Sequence, residues 1–289
     1  MVLDDQVSGA AYQGDVDAVK AWLAADPSRD VNDYAISPRN QNIKLTLLTL
    51  AVTGRANEAK LSLVRWLLAH GADPTSSGRL CDGAAGMVTP LYIASACRAG
   101  SGSGEHTVEM VSLLLEAAPL SSQISKGMTH LRSPIVNGFS SHNMEDPSRR
   151  SEVVEVIRLF LRHGAPLDDY AGYTVGGPTG AGPRFSADNC LSAAETSFPH
   201  LAGNEAFVET KAIITGVRAC GGRWTSYCRL PHKELLRLRS LILRGRARPR
   251  REPITARRVA AHRSITFLLC KLGDNGVVWK ILEFWQATR

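Results

Sequence analysis

The chain has no motif built to grip zinc or cycle a disulfide. Its six cysteines, at 81, 97, 190, 220, 228 and 270, include no closely spaced pair, and both chemistries use such pairs to bring two sulfurs to one point. A reducing setting, cytosolic or nuclear, is expected, with several cysteines serving as small buried apolar residues in packed helices. Long apolar runs are missing too. Windows such as LLRLRSLIL and ITFLLC are short or broken by charge, well under the ~20 apolar residues that span a bilayer. The first residues, MVLDDQ, place two acids where an export signal would be basic and then apolar. Neither export nor a membrane partner is expected.

What is present suits a packed chain. An apolar fraction of 44% and a charged fraction of 21% across 289 residues allow two ordinary domains or one elongated array. Charge is unevenly spread. Between Arg229 and Arg263 stand 12 Lys or Arg against 2 acids, a local +10 in a chain whose total is +7, so the remainder is mildly acidic at −3.

A pattern recurs along the chain. LVRWLLAHGADPT at 63–75 aligns with VEMVSLLLEAAPL at 108–120 and VEVIRLFLRHGAPLD at 154–168, each an apolar helix face followed by a small-residue stop. In the first of these, Val64, Trp66, Leu67 and Leu68 predict the buried stripe, with Arg65 and Ala69 facing elsewhere. Gly71 then ends the helix through a left-handed conformation that a side chain resists. Upstream of the second helices lie TLLTLA at 46–51, TPLYIA at 89–94, SPIVNG at 133–138 and NCLSAA at 189–194. The stretch SGAAYQGDVDAVKAWLAADP at 8–27 fits the same register, with Gly14 in its turn and Val19, Trp22 and Leu23 in its second helix.

These words resemble the ankyrin signature Thr-Pro-Leu-His-x-Ala, and HGAD and HGAP are ankyrin spellings as well. The resemblance covers roughly residues 5–224 and is most specific in units two to four. It implies that the threonine of each first helix caps it and that proline suits the first helical position, where its missing amide costs nothing. Thr89 and Pro90 keep both features. Turn positions at Asp26, Gly71, Ala118, Gly164 and Gly221 are 45, 47, 46 and 57 residues apart, longer than the ankyrin period of about 33 and nearer the HEAT or armadillo period of about 40–47. The signature words favour ankyrin, with the surplus assigned to insertions: 101–107, 143–150 and 199–206 inside units, and 171–188 between units. The fifth unit keeps Ile213, Ile214 and Val217 but has Gly216 and Arg218 where leucines are usual.

Enzymatic features are sparse. Gly177 and Gly182 have the first spacing of a phosphate-binding loop, but Pro183 and Arg184 follow where Lys and Ser or Thr are required. His70 and His163 precede turn glycines, where the ankyrin resemblance implies a packing role and a favourable helix-end charge. His200 and His232 match no zinc spacing with Cys220 and Cys228. No catalytic, metal or cofactor residues are expected, and the chain is not read as an enzyme.

After Trp224 the pattern ends. From 230, Leu235, Leu236, Leu238, Leu241 and Ile242 form an apolar band with Arg237, Arg239 and Arg244 projecting away, predicting an amphipathic helix that covers the last repeat as a cap. The run Arg244 to Arg258, interrupted by Pro249 and Pro253, is open to three readings: a solvated loop, a nuclear import signal, or a contact for acidic or phosphate-rich partners including nucleic acid. No aromatic residues are interleaved there, so sequence-specific single-stranded binding is not expected. The segment FLLCKLGDNGVVWKILEFWQ at 267–286 resembles the short F-box-like motif that ends some ankyrin proteins, and the layout is similar to ankyrin proteins carrying a SOCS box.

The expected architecture is therefore an all-α ankyrin-repeat solenoid, with stacked helix pairs and hairpin loops, over 1–228. A basic C-terminal helical segment, 229–289, closes it as a cap. The resemblance implies a scaffold that binds a partner protein, with hairpin residues Arg39, Arg79, Asp82, Lys126, His130 and Tyr173 as candidate contacts. The alternative is a substrate-recognition adaptor that docks a ubiquitin-ligase scaffold through its C-terminal segment.

Overall fold

The computed structural model describes residues 2–37, 40–54, 56–76, 78–79, 87–96, 105–123, 131–139, 147–169 and 185–243. It is mostly helical. The helices are α1 (Asp5–Gln13), α2 (Val16–Ala24), α3 (Leu47–Ala51), α4 (Glu58–Ala69), α5 (Pro90–Ser95), α6 (Glu105–Ala117), α7 (Pro147–Arg162), α8 (Ala187–Ser197), α9 (Glu205–Ala219) and α10 (Trp224–Leu243), with a π-turn at Ser133–Asn137. Strands are few and short: β1 (Val2–Leu3), β2 (Tyr34–Ser37), β3 (Asn40–Thr46), β4 (Gly78–Arg79), β5 (Met87–Val88), β6 (Asp168–Asp169) and β7 (Phe185–Ser186). They form three separate patches, ordered β1-β2-β3, β4-β5 and β6-β7. The chain divides into two compact parts, residues 1–224 and 225–289, so the boundary expected at 228/229 falls inside α10.

Within the first part, helical segments come in five consecutive pairs: α1 with α2, α3 with α4, α5 with α6, the π-turn with α7, and α8 with α9. Each first member packs on the next first member, as α1 on α3, α3 on α5, α5 on the π-turn and the π-turn on α8. Second members do likewise, from α2 on α4 to α7 on α9. The core lies between them. Leu47, Leu61, Leu67, Val111, Leu114, Ile135, Ile157 and Ile214 are buried, and Phe139 meets Phe207 edge to face at 5.2 Å across the fourth and fifth pairs.

Local chemistry explains where these helices begin. Thr89 caps α5 by accepting from the Tyr92 amide at 3.2 Å, with Pro90 at the first helical position. Thr46 caps α3 in the same way through the Thr49 amide. Asp4, Asp15, Asn57 and Asn204 cap α1, α2, α4 and α9 with side-chain oxygens, each satisfying a donor that has no partner inside the helix. Gly71, Gly164 and Gly221 follow their helices with φ of 86°, 84° and 79°, where a Cβ would crowd the backbone. Gly14 has a second constraint. Its φ is 87°, and a Cβ there would sit 2.6 Å from the Lys60 amide nitrogen, so the turn between α1 and α2 lies directly on α4.

Several sequence expectations are corrected. The buried stripe of α4 is Lys60, Leu61, Leu63, Val64 and Leu67, whereas Trp66 and Leu68 are only half-buried. Trp66 lies under His70 with ring centroids 4.1 Å apart. In the fifth pair the cap is Ser186, accepting from the Asn189 amide at 3.1 Å, so α8 starts three residues before the NCLSAA word suggests. Ser133 caps nothing, because its hydroxyl donates to the Tyr92 carbonyl of the previous pair at 3.0 Å. Residues 105–107 and 147–150, read as insertions, belong to α6 and α7. α10 starts at Trp224, not 230, and runs through Pro231, which lacks an amide to give.

Candidate protein-binding surface

Among the described residues, antiparallel strand pairs stand between α2 and α3, between α4 and α5 and between α7 and α8, and specific bonds hold the chain beside them. Asn32, between α2 and β2, bridges to the next pair: its side-chain amide donates to the Gly71 carbonyl at 3.2 Å and its oxygen accepts from the Asp73 amide at 2.7 Å. Asp73 in turn accepts from the Thr75 amide and hydroxyl at 2.8 and 2.7 Å, a local turn typical of Asp. The chain leaving α4 is thereby fixed before it enters β4. There Arg79 pairs with Met87 across the β4–β5 ladder.

The β6–β7 hairpin is held from a distance. Arg218 of α9 donates to both carboxylate oxygens of Asp168 at 2.8 and 2.9 Å, and also pairs with Asp188 in the first turn of α8. Two acids that would repel each other share one guanidinium, a bidentate geometry for which Arg is suited. Hydrogen bonding to Asp168, followed by the two carboxylate charges, pushes the Arg218 pKa up. The arginine that departs from the leucine expected in the fifth unit is therefore a tie between helix and hairpin root.

The first-member face is largely closed in the middle of the row. Leu47 to Ala51 are all buried, as are Leu91, Ile93 and Ala94. Tyr92 and Asn137 are half-buried there, and Tyr12 on α1 is 49% exposed. Tyr12 also covers Lys60, whose ammonium lies 4.5 Å from the ring centre. The sequence pattern had singled out none of Asn32, Tyr12, Tyr92 or Lys60.

Of the six candidate contacts, Arg79 lies in β4, with its strand described but not its side chain. Arg39, Asp82 and Tyr173 lie outside the described residues, in the stretches joining β2 to β3, β4 to β5 and β6 to β7. Lys126 and His130 lie outside them as well, between α6 and the π-turn. The glycine-rich stretch containing Gly177 and Gly182, the run Arg244–Arg258 and the F-box-like stretch 267–286 are likewise outside the described residues.

The other chemistry-bearing residues have structural surroundings. His70 shares a 2.8 Å hydrogen bond with the Trp66 carbonyl, and His200 meets Phe198 at 6.1 Å. Cys190 is buried, and burial pushes its thiol pKa up, which disfavours the reactive thiolate. Among the described residues, no group of three or more His, Cys, Asp or Glu side chains converges on a possible metal position. None of the described helices is long and apolar enough to cross a membrane. No protein-family model matches the chain, and no curated protein matches its sequence.

Proposed function

We propose that residues 1–224 form an ankyrin-type solenoid whose hairpin row binds a partner protein. The observation that carries this reading is the contact order: each helix pair packs on the next pair along the chain, with antiparallel ladders among the described residues between α2 and α3, α4 and α5, and α7 and α8. Paired helices that bury their apolar faces only against sequence neighbours are the construction of a repeat array. The Thr89–Pro90 start of α5 supports the ankyrin form of it. A row of loops with fixed roots suits recognition, since loops held by a rigid frame can vary at the tip without disturbing the core. The partner's identity is not written in any motif.

Photo-crosslinking tests the reading. A benzophenone amino acid at Arg79 in β4 should capture the same protein in cells as one placed at Asp82. The same probe at Glu116, on the exposed side of α6, should not. Capture through Glu116 alone, or different proteins at the two hairpin positions, would remove the hairpin row as the binding surface.

A further inference from the structure

A cation on a helix needs either a carboxylate or water beside it. Arg65 of α4 pairs with Glu109 of α6, Arg158 of α7 with Glu209 of α9, and Arg218 with Asp168 and Asp188, while Lys20 and Arg162 are exposed to solvent. Lys60 has neither. It is 5% exposed, and among the described residues no carboxylate pairs with it. Its ammonium carries three donors. One goes to the Thr53 carbonyl, and the centre of the Tyr12 ring lies 4.5 Å away. Lys60 also stands in the first turn of α4, where the helix dipole adds positive potential to a buried charge that is already uncompensated.

The surroundings of Lys60 Nζ are fixed, and they leave two donors idle. The turn between α1 and α2 is seated on the start of α4, since a Cβ at Gly14 would meet the Lys60 backbone, and this holds Tyr12, in the last turn of α1, over the lysine. Asn57 secures the start of α4 by accepting from the Lys60 amide at 2.9 Å. Beside them comes Gly54, with a φ of 82°. A Cβ there would stand 3.1 Å from Tyr12 Oη and 3.5 Å from Lys60 Nζ, so both groups flank the side of Gly54 that a side chain would fill. Each has a donor to give there, and Tyr12 Oη makes no hydrogen bond among the described residues. Tyr12 is 49% exposed and Gly54 is half-buried, so the approach is from solvent.

We infer that Lys60 Nζ and Tyr12 Oη, on either side of Gly54, form a binding site for a single carboxylate, which accepts from both. One ammonium and one phenol suit a group with one negative charge. A phosphate group, with about two charges and three strong acceptor oxygens, would leave acceptors unmatched there. Burial pushes the Lys60 pKa down, the direction of an ammonium that lacks a counter-ion. β3 enters α3 at one end and Gly54 follows the other, so the site lies away from the hairpin row. Its success or failure leaves the protein-binding reading untouched.

The test uses the full chain with isotope-labelled lysine side chains, titrated with sodium acetate against sodium chloride at constant ionic strength and followed by NMR. One lysine resonance, identified by its absence from Lys60→Met, should move and saturate with acetate but not with chloride. Tyr12→Phe keeps the ring and loses only Oη, and it should weaken acetate binding about tenfold, the worth of one hydrogen bond to a charged group. Lys20→Gln should respond like the parent. A capped peptide bearing one Glu then separates the sources of the carboxylate: binding tighter than acetate assigns the site to a protein side chain, and weaker binding assigns it to a free small acid. A Lys60 resonance that ignores acetate would overturn the inference, as would an unchanged affinity in Tyr12→Phe. So would tighter binding of inorganic phosphate than of acetate, or a Gln version of the peptide that binds as well as acetate.

Discussion

Lys60 shows how far a single side chain can depart from its usual place. It is 5% exposed, donates to the Thr53 carbonyl and has its ammonium against the Tyr12 ring, with no carboxylate paired to it among the described residues. Burial pushes its pKa below the usual 10.5, because desolvation penalises the charged form. The unfolded chain therefore holds its proton to higher pH than the folded one. As pH climbs from the folded-state pKa towards 10.5, unfolding must bind a proton, and stability rises through that window. Replacing Lys60 with Met should abolish this increment. Melting temperatures of parent and variant, measured in steps from pH 7 to 10.5, should diverge in the parent's favour as pH rises, and parallel curves would refute the assignment. A helical pattern sends lysine to solvent by default, so only the packing of α1 on α4 reveals this one.

At the scale of the element, threonine caps carry the helix starts, but they do not all carry the same burden. Thr46 caps α3 through one amide, and its half-buried hydroxyl otherwise meets only the hydroxyls of Thr49 and Ser76, at 2.9 and 3.4 Å. Thr89 is 2% exposed, accepts from the Tyr92 amide and donates from the same hydroxyl to the Gln123 carbonyl at 3.0 Å. Thr46→Ala should therefore cost about 1 kcal/mol, the usual value of a lost cap. Thr89→Ala should cost roughly 2 to 3 kcal/mol, since it also strands a buried carbonyl. Urea midpoints of both variants and of Thr89→Ser, which keeps the hydroxyl, would check the ranking. Equal losses for the two alanine variants would mean that the Gln123 bond contributes nothing.

Much of this element chemistry was legible beforehand. TPLYIA announced its own cap, and the glycines after α4, α7 and α9 announced their turns. SPIVNG and NCLSAA misled for physical reasons that a linear reading does not contain. The hydroxyl of Ser133 is engaged by a carbonyl on another helix pair, and β7 delivers Ser186 to the start of α8 before Asn189 is reached. The hairpin roots were hidden in the same way. Nothing about Asn32 as a residue type says that it will clasp Gly71 and Asp73, 39 and 41 positions later, and Arg218 read as a fault in a repeat because its acids lie 50 and 30 positions upstream in the chain.

For the whole molecule, the first part holds together through contacts that are local in sequence, one helix pair to the next. Such a row should not have one stability. Amide hydrogen exchange under native conditions should yield opening free energies that are highest in α4, α6 and α7 and lower in α1 and α2, because among the described residues the first pair has a neighbouring pair on one side only. A single value shared by all five pairs would indicate one cooperative core and contradict the array. The mildly acidic first part and strongly basic second part further imply that salt will act on them unequally, since exposed charges are screened within about 8 Å at physiological ionic strength.

The Arg218 fork ties β6 to the first turn of α8, a knot made wholly by residues outside the fifteen-residue stretch 170–184. The knot makes this stretch a natural graft point: foreign cargo spliced into it, or the stretch trimmed to a tight turn, would alter what the protein displays while leaving its frame as it is.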